Sequence, residues 1–302
     1  MTDPRTLSYA IEIQGLTKRY GAFKALDNMT LRLEPNKIYG LLGRNGAGKT
    51  TLLNILTGRT FATSGSAQAF GKRAYENVDI LKRICFIEEK GFYSNAIRIS
   101  QVLELASGLY PNWDRAYAER LVALFEMDKR KKYKQLSRGM ESSLGLIIGL
   151  ASRAPLTIFD EPSLGLDAVI RERFYDAVIE DFSTHPRTIV ISTHLIDEVS
   201  RLFEDVIIVD GGRVLLRSNA LELKERAHYL SGKEQDVRAA AQGAVTMHEE
   251  QFGNTLILSV LAKDEIRAAA DVDIQPMPLQ KLFTYLIDPE IYKVLQKGGV
   301  LQ

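Results

Sequence analysis

The segment Gly43-Arg44-Asn45-Gly46-Ala47-Gly48-Lys49-Thr50 constrains this chain more than any other. It follows a short apolar run, Ile38 to Leu42, that reads as a buried strand. It precedes Thr51 to Leu56, which reads as the start of a helix. Glycines tolerate positive φ and let successive backbone N–H groups converge on an anion. The helix behind them adds its positive N-terminal end. A lysine at the seventh position supplies a point charge to phosphate oxygens, and the threonine hydroxyl after it suits a divalent cation. Residues 43 to 50, together with Thr51, are therefore the candidates for holding nucleotide phosphates, with Thr50 as a candidate Mg²⁺ ligand.

A second apolar run, Leu156 to Phe159, ends in Asp160-Glu161. Successive residues at a strand end point in different directions. One carboxylate can face a metal while the other faces the terminal phosphate. Asp160 is expected to hold Mg²⁺ through water. Glu161 is expected to polarise the attacking water as general base. By itself, an acidic pair at a strand end is more often a solvated turn; the phosphate loop upstream is what gives it meaning.

Further strand patterns occur at Ile11 and Ile13, Leu31 and Leu33, Thr188 to Ser192, and Val206 to Val209. Between Ser100 and Met127 the period becomes helical, with Asp114 as an N-cap. Strands alternating with helices imply a largely parallel sheet covered on both faces. From Lys224 to Arg238 the chain is charged and reads as helix. Val245 and Met247, then Leu256, Leu258 and Val260, flank Gly253-Asn254 as a hairpin. Pro278 then opens an amphipathic helix with Leu279, Leu282, Phe283 and Leu286 on one face. A small α+β tail is expected after the main domain.

With these motifs placed, the chain resembles the nucleotide-binding subunit of an ABC transporter over roughly Ile11 to Leu223. Tyr20 stands where that family has an aromatic that stacks on adenine. Leu136-Ser137-Arg138-Gly139-Met140 resembles the family signature, Ser163-Leu164-Gly165-Leu166-Asp167 its D-loop, and His194 its switch histidine. The resemblance implies an α/β P-loop NTPase with an N-terminal antiparallel β subdomain and a helical subdomain at about 91–150. The domains expected are 1–223 for the ATPase and 224–302 for an accessory or dimerising extension. The resemblance also implies ATP as ligand, ATP hydrolysis, and two subunits packed head to tail. Each signature, through the Ser137 hydroxyl and the Gly139 N–H, would then close over the other's ATP. His194 would sense the γ-phosphate.

Two positions depart from the family pattern. Arg138 and Met140 replace the signature's usual glycine and glutamine; Arg138 either adds charge near the triphosphate or faces solvent. Glu88-Glu89 stands where a glutamine usually follows the strand Ile84 to Ile87, and Glu89 aligns best as a Mg²⁺ ligand. These departures, together with Tyr110-Pro111-Asn112-Trp113-Asp114, resemble a Gram-positive exporter branch that includes YtrB-like subunits and exporters of phenol-soluble modulin peptides. That implies a separate transmembrane permease, a second ATP-binding subunit of the same kind, export of an amphipathic or hydrophobic cargo, and a cytoplasmic place on the inner membrane face.

Composition agrees with that reading. Of 302 residues 45% are apolar and 25% charged, with net charge +1, so no nucleic-acid partner is expected. The apolar stretch Leu144 to Ser152 is far shorter than the ~20 residues a spanning helix needs, so crossing a bilayer falls to another chain. The alternative is a soluble ABC ATPase acting on ribosomes or DNA. Such proteins usually carry two cassettes or a long coiled-coil insertion, and this chain has one uninterrupted copy.

Overall fold

The computed structural model describes residues 9–88, 96–263, 266 and 271–300. They fall into two compact units, Met1–His194 with Val209–Val214, and Leu195–Ile208 with Leu215–Gln302.

The first unit opens with β1 (Ile11–Tyr20) and β2 (Phe23–Leu33), an antiparallel pair joined by a short turn. Next come β3 (Ile38–Leu42), α1 (Lys49–Leu56) and β4 (Ser64–Ala69). β4 completes a three-stranded antiparallel sheet of order β2-β1-β4, the expected N-terminal β subdomain. Then follow α2 (Val78–Leu81), β5 (Ile84–Ile87), α3 (Ile99–Leu109), α4 (Arg115–Leu124), α5 (Arg138–Ala151), β6 (Leu156–Asp160), α6 (Ala168–Thr184) and β7 (Thr188–Thr193). Strands β5, β6, β7 and β3 lie side by side in that order, all parallel. Every residue of β3, β6 and β7 is buried, as expected for a sheet covered on both faces. Their carboxyl ends lie level, with Leu42 opposite Thr193 and Asp160 opposite Ser192, which brings the loops that follow them together.

Asp114 caps α4 as expected, its carboxylate accepting from Tyr117 N at 2.8 Å. The same aspartate is the partly exposed edge of an ionic cluster, buried at Asp181 and Arg187, that the linear sequence does not announce. Arg153 pairs with Asp114 and Asp181, and Asp181 also pairs with Arg187 at 2.6 Å. Asp181 lies on α6, Arg153 follows α5 and Arg187 precedes β7, so the cluster ties the helical region to the sheet. Burial lowers the Arg187 pKa to about 10.

The second unit holds α7 (Ile196–Val199) and most of β8 (Asp205–Asp210) and β9 (Arg213–Asn219), whose hairpin tip belongs to the first unit. It continues with α8 (Ala220–Arg226), β10 (Ala227–Gly232), α9 (Glu234–Ala240), β11 (Ala244–Phe252), β12 (Thr255–Ala262), β13 (Asp273–Pro276), α10 (Leu279–Leu286) and α11 (Pro289–Lys297). A four-stranded antiparallel sheet of order β11-β12-β10-β13 forms its frame. The expected hairpin turns at Gly253-Asn254, with a bulge at Met247 between Thr246 and His248. Pro278 precedes α10, and Leu279, Leu282, Phe283 and Leu286 are all buried.

One expectation is corrected. Lys224 to Arg238 is not one helix: α8 ends at Arg226, and β10 occupies Ala227–Gly232 before α9 begins. Ala227 and Leu230 are fully buried, and β10 bonds to β12 on one side and β13 on the other. Cross-strand pairing on both edges outweighs the local helical composition.

Candidate functional site

Strand β3 delivers the chain into the 43–48 loop, and α1 starts at Lys49 with Gly48 as its N-cap. Gly48 has φ 107, and a Cβ there would lie 2.6 Å from the Ala25 carbonyl oxygen of β2. Both the conformation and the space demand glycine. The loop closes on itself, with Ala47 N donating to Arg44 O at 3.1 Å, and Gly212 N donates to Ala47 O at 3.0 Å. Arg44, Asn45 and Gly46 are exposed at its rim, and Thr51 is half-buried on the first turn of α1. No acidic residue sits in that turn, so nothing opposes an anion at the positive helix end.

Lys49 is buried, and its ammonium donates to Gly43 O at 2.6 Å and lies 3.6 Å from Glu161 Oε1. Thr50 Oγ1 donates to Asp160 Oδ2 at 3.1 Å. The phosphate loop and the acidic pair, 110 residues apart in sequence, thus meet directly.

Asp160 is the last residue of β6 and is 7% exposed. Its Oδ1 is buried with no hydrogen-bond partner. Burial pushes its carboxyl pKa up, against the pull of the nearby Ser192 and Thr50 hydroxyls. A buried carboxylate oxygen with an open lone pair beside a threonine hydroxyl is a fit for a hard divalent cation. Among the described residues no cluster of three or more His, Cys, Asp or Glu could hold a metal alone. Such an ion would take its remaining ligands from phosphate oxygens and water, as Mg²⁺ does in nucleotide sites.

Glu161 adopts φ 51, a left-handed conformation uncommon for a residue with a side chain. Its own N–H donates to Ser192 O at 2.8 Å, holding this turn against β7. Its Oε2 accepts from Thr193 Oγ1 at 3.1 Å and from His194 N at 3.4 Å. Its Oε1 lies 2.9 Å from His194 Nδ1. The carboxylate is therefore aimed by three groups from the end of β7 and faces Lys49. Backbone strain of about 1–3 kcal/mol of this kind persists where the surroundings over-determine it, often at functional sites. Thr193 is a member of this cluster that sequence reasoning missed. Its only signal was its place immediately before His194.

Ser137 is the N-cap of α5, its hydroxyl accepting from Met140 N at 3.3 Å. Gly139 is required for a different reason from Gly48: a Cβ there would lie 2.6 Å from the Gly165 carbonyl oxygen. Ser142 Oγ donates to Leu164 O at 3.0 Å, so the start of α5 is fastened to the 164–165 loop. Arg138 is exposed, and its side-chain stem runs along Gly165, with Cγ 3.0 Å from where a Cβ would stand. Tyr20 ends β1, half exposed, with the Lys18 ammonium 4.9 Å from its ring centroid. Glu89 lies outside the described residues. Its neighbour Glu88 is ion-paired with Arg59, whose guanidinium also lies 4.7 Å from the Phe86 ring centroid.

This arrangement can be compared with known proteins. The family model described as "ABC transporter" matches residues 26–164. The lantibiotic transport ATP-binding protein SrtF of Streptococcus pyogenes is 35% identical over 208 residues, 68% of this chain and 89% of that protein. The chain belongs to the ABC transporter ATP-binding subunits. It is thus an ATP-binding, ATP-hydrolysing subunit with the P-loop ABC ATPase fold. The ABC transporter ATP-binding protein YtrB of Bacillus subtilis (strain 168) is 28% identical over 215 residues, 71% of this chain and 74% of that one. In fold, this ABC subunit also resembles the dimeric structure of a post-hydrolysis state of an ATP-binding cassette bound to ADP and Pi. That match has a TM-score of 0.62 and 21% identity, over 70% of this chain and 98% of the cassette. Among the described residues no helix is long and apolar enough to cross a membrane.

Proposed function

We propose that this ABC subunit hydrolyses Mg²⁺-ATP in a site shared between two copies, and so powers export through a separate membrane permease. Residues 43 to 51 bind the triphosphate, and Tyr20 stacks on the adenine. Thr50 and Asp160 hold Mg²⁺, which neutralises charge on the phosphates; Glu89 is proposed as a further ligand from sequence. Glu161 orients and deprotonates the attacking water, and His194 senses the terminal phosphate. Ser137 and Gly139 close over the ATP of the second copy, packed head to tail, with Arg138 beside them. Residues 1–223 form the ATPase domain and 224–302 an accessory extension. The protein sits on the cytoplasmic face of the membrane by binding its permease. The cargo class favoured is an amphipathic peptide, in keeping with the lantibiotic transport named for SrtF.

The observation that carries this reading is Glu161 itself. A glutamate in a left-handed conformation, held by Thr193 and His194 and facing Lys49, supports a role on water beside the phosphate loop. The Glu161→Gln variant keeps the shape but removes the base. It is expected to bind ATP with near wild-type affinity and to hydrolyse it at least about a hundredfold more slowly. Near-normal turnover by Glu161→Gln would remove Glu161 from the role of base.

A further inference from the structure

The segment immediately after His194 is held by the C-terminal part of the chain. α7 has only 4 residues, Ile196–Val199, and a helix that short does not sustain itself. Its supports come from far along the sequence. Ile196 N donates to the Gln280 side-chain Oε1 at 3.0 Å. In return, Asp197 Oδ1 accepts from Gln280 N at 2.9 Å. Gln280 lies in the first turn of α10, whose N-cap Pro278 offers no side-chain cap, so Asp197 supplies the acceptor that α10 lacks. At the other end of α7, Lys224 Nζ donates to Ser200 O at 3.4 Å and to Ser200 Oγ at 3.3 Å. α10 is itself immobilised by Leu279, Leu282, Phe283 and Leu286, all buried. All of these partners belong to the second unit.

The chain therefore passes from His194, which touches Glu161, directly into a helix whose start is fixed by a reciprocal pair of hydrogen bonds to α10. We infer that Gln280 and Asp197 are positioning residues for the ATPase reaction: through α7 they set the placement of His194, so the C-terminal extension governs the rate of hydrolysis. This inference rests on the role proposed above for His194. An error of about 1 Å in a catalytic group costs up to about a hundredfold in rate, so loss of one end of this pair has a measurable effect.

The test uses the full-length chain and measures steady-state ATPase kinetics alongside thermal melting and ATP affinity. Gln280→Leu and Asp197→Ala each remove one hydrogen bond. Both are expected to lower kcat about fivefold to tenfold, with KM for ATP changed less than about twofold. Asp197→Asn keeps an oxygen acceptor for Gln280 N and is expected to retain at least about half of the wild-type kcat. A purely structural role would instead lower the melting temperature of all variants together without separating Asn from Ala. The inference is overturned if Gln280→Leu and Asp197→Ala both turn over at the wild-type rate or faster. It is equally overturned if KM rises in step with the fall in kcat, or if Asp197→Asn is as impaired as Asp197→Ala. His194→Ala, run in parallel, separates the role proposed for His194 from that inferred for Gln280 and Asp197. If His194→Ala keeps wild-type turnover, the role proposed for His194 has failed. If it is inactive while the Gln280 and Asp197 variants are normal, only the present inference has failed.

Discussion

The phosphate site and the C-terminal unit are built on different logic. In the site, each candidate residue is marked by its own short segment. Gly48 is fixed by its own φ of 107, Asp160 and Glu161 by their place at the end of β6, and Thr50 by the first turn of α1. The long-range contacts, such as Thr50 to Asp160 at 3.1 Å, follow once parallel strands place their carboxyl ends side by side. In the C-terminal unit the order is reversed. Apart from the β11–β12 hairpin, its sheet is made of pairings that local composition does not specify, and β10 forms within a charged stretch that reads as helix. Chemistry dictates the first region and packing dictates the second. The Asp160 and Glu161 side chains can therefore be changed with the fold intact, whereas truncating a core side chain of the C-terminal unit costs stability.

Substitutions in the two regions should dissociate accordingly. The largest effect is expected from Asp160→Asn, which removes the charge proposed to hold Mg²⁺. ATP hydrolysis should fall at least about a hundredfold, since a bound metal is worth several kcal/mol in such a reaction. Steady-state turnover across a Mg²⁺ titration measures this, and recovery of wild-type turnover at high Mg²⁺ would move the metal site elsewhere. Next comes Leu258→Ala in β12. Leu258 is 2% exposed and packs in the cluster of Leu230, Val237, Leu256 and Val260. Denaturant unfolding should show a loss of about 2–5 kcal/mol in the C-terminal unit. ATP affinity, measured below that transition, should change by less than about twofold. A matching collapse of ATP binding would show that the two regions are not separable in this way.

The smallest effect concerns the stability of the nucleotide-free protein. Burial raises the Asp160 pKa, so this carboxyl binds its proton more tightly folded than unfolded. The group therefore favours the fold when protonated, and that contribution is lost as pH rises through its folded pKa. Asp160→Asn, which is neutral at every pH, should melt at or slightly above the wild-type temperature near neutral pH. A clear drop in melting temperature would mean that the ionised carboxylate holds the empty fold together.

How much of this could be read beforehand follows the same division. The 43–50 loop, the pair at 160–161, the Asp114 cap and the turn at Gly253-Asn254 all carry their reason within a few residues. The Asp181 cluster does not. Its members Asp114, Arg153 and Arg187 are brought to it from three different elements by the packing of α4, α5, α6 and β7. Charged residues at those positions look like any solvated helix end until the fold encloses them. The bonds between Asp197, Ile196 and Gln280 are equally silent, because 83 or more residues separate the partners. Gly139 shows a middle case. The signature pattern marks it as a candidate for phosphate contact, while the structure gives it a steric reason to be glycine, passing within one methyl group of the Gly165 carbonyl.

In the proposed reaction, ATP is bound between two copies of this chain. The most direct measurement is the solution mass of the Glu161→Gln variant, by light scattering or sedimentation, with and without Mg²⁺-ATP. The account predicts a species near the chain mass of 33.8 kDa without nucleotide and about twice that mass with it, because the variant binds ATP but does not discharge it. It also predicts that replacing Ser137 with a bulky residue prevents the doubling. A mass that stays at the monomer value in saturating Mg²⁺-ATP would contradict the shared site, as would a dimer equally abundant without nucleotide.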